Sequence, residues 1–231
     1  MKLFNARNLY LICILAVAAC LGSMSSCKND QKDSRGQIDK KAVAQIGFYE
    51  TYKYTDIAQD ISNLCEAAGN PTLFQNISKG NYNGPAVCAA QKSDTAAINA
   101  IIAKYGPVIL PSDLKLMWTQ KPFDNIYELI ALKTDTLGKP AMTGESILEA
   151  KVTDSNNYGF AVFITLEKEG GKQFSKLTSD NIGHALAIVF KDKVISYPIV
   201  NCQINGGKVE ITGNFTEEEA NDFVDMLYGK K

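Results

Sequence analysis

Histidine occurs once in the 231 residues, at His184, and arginine twice, at Arg7 and Arg35. A lone histidine excludes paired-histidine zinc sites. It also leaves a Ser-His-Asp arrangement a single candidate base, which would still need a nucleophile and an orienting carboxylate. Both arginines precede the densely apolar part of the chain, so that part lacks the guanidinium fork that grips phosphates and carboxylates at two points. Long apolar runs are missing after the first 27 residues, where no stretch approaches the length of a membrane span. An excess of one charge is missing too: from Cys27 onward there are 22 basic and 25 acidic side chains, a net of −3. Nothing there would condense on phosphate, so no nucleic acid and no nucleotide is expected as a partner, and no side-chain cluster calls for a metal or cofactor. With 45% apolar and 21% charged residues the composition is that of a globular protein, which excludes collagen-like, coiled-coil and disordered classes.

What is present begins with an export signal over residues 1–27: Lys2 and Arg7, an apolar run from Leu9 to Ala19, then small residues ending at Cys27. Small residues before a cysteine resemble a bacterial lipoprotein signal, in which that cysteine is acylated and becomes the first mature residue. Cys27 is favoured because the polar stretch from Lys28 to Asp33 begins directly after it; Cys20, after Val17-Ala18-Ala19, is the alternative. Acyl chains contribute about 0.8 kcal/mol per buried methylene, so the expectation is a body held to a membrane by lipid. Its place is the cell envelope, facing the periplasm or cell surface, with the outer membrane favoured. Residues 28–42 read as a flexible tether. Three cysteines follow, Cys65, Cys88 and Cys202, so at most one internal bridge is available. Cys65 and Cys88 are the pair nearest in sequence; three small buried thiols are the alternative.

From Val43 the texture is that of strands and helices mixed without strict alternation, which predicts an α+β fold with mixed or antiparallel sheets and helices packed on one face. Ile46, Phe48, Glu50, Tyr52 and Tyr54 share one face of a strand. Asp56-x-x-Gln59 has the form of a capping box before a helix, 78–90 reads as a loop rich in Gly and Asn, and a second helix from Ser93 or Asp94 closes at Gly106-Pro107. Strands follow at 114–118 and 126–133. The Gly- and Pro-containing stretch 134–143 is the expected boundary between a first half, 43–140, and a second, 141–231. In the second half the pattern gives a strand over 158–166, a helix over 170–182, and an apolar strand over 185–190 turned back by Lys191-Asp192-Lys193. A short strand over 208–212 and a helix announced by the capping box Thr216-x-x-Glu219 complete it.

The run from Asn181 through Leu186-Ala187-Ile188-Val189 to Val194-Ile195-Ser196-Tyr197-Pro198 carries a recognisable pattern. Ile204-Asn205-Gly206-Gly207, Ile211-Thr212-Gly213-Asn214-Phe215-Thr216 and Met142-Thr143-Gly144-Glu145 extend it in order. Together they resemble the first periplasmic domain of SecD and SecDF, the accessory membrane proteins of the Sec translocase. Residues 141–231 thus resemble that domain's head subdomain, and 43–140, through Phe48-Tyr49-Glu50 and Leu114-Lys115-Leu116-Met117-Trp118, its base as found in Bacteroidota. The family's membrane helices are absent from this sequence. The resemblance implies a non-enzymatic module that binds extended polypeptide or an envelope protein partner, Sec translocon components included. A surface-exposed ligand-binding or structural lipoprotein reusing the fold is the second reading, and a hydrolase built around His184 the third. The expected polypeptide-binding surface is an apolar groove between the helix 170–182 and the strands around 160–200, with Phe160, Phe163, Phe174 and Tyr197 as its candidates. Gly170-Gly171-Lys172 reads as a turn and helix start and not as a phosphate loop, and Glu217, Glu218 and Glu219 as complements to a helix dipole.

Overall fold

The computed structural model of the chain describes residues 35–70, 83–154 and 159–230. In chain order its elements are α1 (Lys40–Val43), β1 (Ile46–Glu50), α2 (Tyr54–Ala67), β2 (Ala86–Gln91), α3 (Thr95–Ile109), β3 (Leu114–Trp118), β4 (Ile126–Lys133) and β5 (Met142–Thr143). They continue with β6 (Ile147–Asp154), β7 (Phe160–Leu166), α4 (Lys168–Asp180), β8 (Leu186–Phe190), β9 (Lys193–Ser196), β10 (Lys208–Phe215) and α5 (Glu217–Leu227). The strand pairs within the sheets are antiparallel, and the fold class is α+β.

The chain forms two compact units, and they are interleaved along the sequence. One takes residues up to 44, 144–182 and from 201 on; the other takes 45–143 and 183–200. A single cut at 140/141 therefore does not separate them. The reason lies in β1 and β8, both buried along nearly their whole length. Such strands belong in a sheet interior, and they pair with each other from Ile46 opposite Phe190 to Glu50 opposite Leu186.

In the first unit a three-stranded sheet has the order β10-β7-β6. Val162 and Ile164 of β7, with Val209 and Ile211 of β10 and Ala150 of β6, are buried on one face beneath Phe174 and Leu177 of α4 and Phe223, Val224 and Leu227 of α5. α5 starts as expected: Glu219 N donates to Thr216 Oγ1 at 3.2 Å and Thr216 N to Glu219 Oε2 at 2.8 Å. Its other end is closed by the supposed tether. Asp39 N donates to the Leu227 carbonyl at 2.9 Å, one of the oxygens a helix end leaves unpaired. Arg35 donates to Asp225 Oδ1 at 2.7 Å and Asn221 Oδ1 at 2.8 Å. From Arg35 on, the polar segment belongs to this unit, because Arg35 pairs with Asp225 and Asn221 of α5 and the Asp39 amide closes the helix's last turn; the folded body has an arginine after all.

In the second unit a four-stranded sheet, β5-β1-β8-β9, lies against a three-stranded one, β2-β4-β3. Alternation along β4 divides its side chains: Leu129 and Ala131 join Ile57, Ile61 and Leu64 of α2 and Ile98 of α3, while Ile130 and Leu132 join Tyr49, Ala187, Val189 and Val194 of the other sheet. Two-residue turns with positive φ close two hairpins, Asp124-Asn125 between β3 and β4 and Lys191-Asp192 between β8 and β9. α2 begins earlier than its predicted capping box: Asp56 caps backward, accepting from Lys53 N at 3.3 Å. α3 runs past Gly106-Pro107 to Ile109. The predicted loop 78–90 contains most of β2, within its described part.

Candidate functional site

Strand alternation sends β7 side chains to two surfaces. Val162 and Ile164 face the helices, and Ala161, Phe163 and Thr165 face away from them. Register then fixes what flanks them: Lys208, Thr165 and Glu149 form one row across the sheet, and Glu210, Phe163 and Lys151 the next. Phe163 is half-buried at the centre of this face, with Lys151 Nζ 5.5 Å above its ring. Glu149, Lys151 and Lys208 are exposed. β6 forms one edge of the sheet, and Leu148, displaced by a bulge between Ile147 and Glu149, is 54% exposed. The hydroxyl of Tyr228 donates to the Ala150 carbonyl at 3.1 Å and accepts from Ala150 N at 3.4 Å, answering backbone groups of the edge strand.

The four aromatic candidates do not share a groove. Phe174 is 1% exposed in the core of the first unit, because α4 buries the face it lies on. Phe160 is half-buried at the start of β7, paired opposite Phe215. Tyr197 belongs to the second unit, where its hydroxyl donates to Glu128 Oε2. Burial raises the Glu128 carboxyl above its ordinary range, and the bond from Tyr197 pulls it back in part. An open cleft of about 540 Å³ does run along the start of α4, lined by Lys168, Lys172, Ser175 and Asn205 among others, but by no aromatic residue. The glycines beside it are packing residues: a Cβ on Gly171, inside α4, would stand 3.1 Å from Gly207 Cα.

His184 is exposed just before β8, and no described serine or aspartate bonds to its ring. Cys65 and Cys88 are both buried as thiols, with no disulfide, in the core between α2, α3 and β2, while Cys202 is exposed. Burial, and the Cys65 thiol after it, push the Cys88 thiol up to about 12. Packed as small apolar side chains, the two occupy that core without a bridge. Cys20 and Cys27 lie outside the described residues. Among the described residues no helix is long and apolar enough to cross a membrane.

Residues 124–229 match the family described as SecDF, P1 head subdomain. The matched segment runs from the β3–β4 hairpin to the end of α5 and so contributes strands to both units. Over 196 residues, 77% of this chain, the sequence is 33% identical to the protein translocase subunit SecD of Rhodothermus marinus, of which it covers 30%. It is 31% identical over 122 residues to SecD of Magnetococcus marinus, covering 51% of this chain and 22% of that protein. The chain therefore spans less than a third of these SecD proteins. Among solved structures, it resembles SecDF described as a membrane component that enhances protein export, with 20% identity and a TM-score of 0.37 over 79% of this chain and 92% of that one. A SecDF from Thermus thermophilus, described as translocon-associated, gives 20% identity and a TM-score of 0.35 over 80% of this chain and 29% of that one. The sequence carries the alternation of Phe163 with Val162 and Ile164, but not the bulged β6 that sets Lys151 beside it.

Proposed function

We propose that this chain is a SecD-like envelope module that binds extended polypeptide or an envelope protein partner in connection with protein export, without catalysing a reaction. The observation that carries it is the ordered match of residues 124–229 to the SecDF P1 head subdomain. The outer edge of β6 supports a polypeptide partner: an edge strand offers a row of backbone donors and acceptors to any extended chain, whatever its sequence. Exposed Leu148 gives such a chain an apolar contact, and the Tyr228 hydroxyl at Ala150 is the group it would displace. In this reading acylated Cys27, with Cys20 as the alternative, holds the module in the envelope, at the outer membrane. A photoreactive residue at Leu148 or at Tyr197 in living cells is expected to trap exported chains or Sec components at the first position. Recovery of neither overturns the reading. The rival, a surface lipoprotein with no translocation role, would show itself by protease shaving of intact cells.

A further inference from the structure

We infer that the sheet face around Phe163 pairs with the same face of a second copy of this chain. The argument is one of charge and register. Across β10, β7 and β6 the upper row reads Lys208, Thr165, Glu149 and the lower row Glu210, Phe163, Lys151. The two outer strands thus carry opposite charges at every level, and the order inverts from one row to the next. A twofold axis running along β7 between two such faces exchanges β10 with β6 and keeps the rows level. Lys208 then meets Glu149 of the second copy, Glu210 meets its Lys151, and Phe163 meets its own equivalent. Every charge in both rows finds an opposite one, and each pair occurs twice, as an isologous contact requires. A twofold axis across the strands gives no such match, since it sets Lys208 against Thr212.

Below Phe163 the row is Thr212, Ala161 and Thr153, of which Ala161 is fully buried and the two threonines half-buried, so the contact rests on the two charged rows. Glu149, Lys208 and Glu210 form no ion pair with another described side chain, so none must be broken to make the contact. An extended polypeptide of arbitrary sequence would gain nothing from charges placed in this alternation. The β6 edge stays open when the faces meet, so this pairing and the polypeptide reading succeed or fail separately. Two rows of three residues make a small interface, so the association is concentration-dependent and of micromolar strength or weaker.

The test is sedimentation equilibrium of the full chain in detergent micelles. Lys208→Glu sets like charges together twice per dimer and is expected to raise the dissociation constant about tenfold or more. Adding Glu149→Lys restores both contacts and should return it to within about threefold of the starting value. Both positions are exposed, so the variants fold, as thermal melts will verify. A monomer at every concentration up to about 0.5 mM, or a dimer indifferent to the single reversal, overturns the inference. So does a photoreactive residue at Phe163 that captures exported polypeptide and never a second copy.

Discussion

Replacing Gly171 with alanine sets two effects of known size against each other. Alanine is favoured over glycine inside a helix by about 1 kcal/mol, and Gly171 lies within α4, so propensity alone predicts stabilisation. The new Cβ, however, would stand 3.1 Å from Gly207 Cα and 3.3 Å from Gly207 N, both backbone atoms. The turn at Gly207 cannot easily retreat: its φ is +68°, and Leu166 Cβ and O lie 3.4 Å from where a Gly207 Cβ would be. Overpacking of this kind costs about 1–3 kcal/mol. The balance is a loss of about 1 kcal/mol for Gly171→Ala, seen as a Tm lower by ~2–4 °C for a chain of this length. Gly171→Val, with two further methyl groups and a stiff χ1, should lose at least ~3 kcal/mol. Thermal melts followed by circular dichroism, with urea titrations beside them, measure both. A Tm for Gly171→Ala above that of the parent would refute the reasoning, since it would mean the Gly171–Gly207 contact is loose.

Glu128→Gln keeps an acceptor for Tyr197 and removes a buried charge. Because burial raises the Glu128 carboxyl above its unfolded value, the stability tied to it is fully present below the ordinary glutamate pKa and lost as pH rises through the raised one. The variant should therefore melt higher than the parent at about pH 8 and equally at about pH 4; the reverse order rejects the assignment. Thr216→Ala removes the side-chain half of the α5 capping box, the Oγ1 that accepts from Glu219 N, and should cost about 1 kcal/mol in urea unfolding, with Thr216→Ser close to the parent. A thiol reagent should label Cys202 quickly in the native chain and reach Cys65 and Cys88 only on unfolding, where both should react without reductant. A pair that stays silent until reduced would show a bridge. Metabolic labelling with an alkyne palmitate analogue should be lost in Cys27→Ala and kept in Cys20→Ala; the opposite pattern would move the anchor.

Local grammar was legible and long-range pairing was not. The Thr216 and Glu219 box, the Lys191-Asp192 turn and the apolar run at Leu186 each specify structure within a few residues, and each appears where expected. β6 is not legible in the sequence because its bulge between Ile147 and Glu149 breaks the alternation by which a strand is recognised. β2 is not legible because Ala is a weak strand former, and burial against α2 is what makes Ala86–Gln91 a strand. Phe163 and Phe174 look equivalent as residue types. One lies on the side of β7 away from the helices and the other on the buried side of α4, and that difference belongs to packing.

The partnership of β1 with β8 also dictates the order in which this protein can mature. β1 is made early, yet its sheet cannot close until β8 arrives with most of the chain already synthesised. Until then a nearly all-apolar strand edge stands exposed, and high contact order makes its capture slow. A fragment reduced to the SecDF-matched segment would carry β8 without β1 and inherit the same open edge permanently. The fold of this chain is thus held open, from its first long strand onward, until its last third is present.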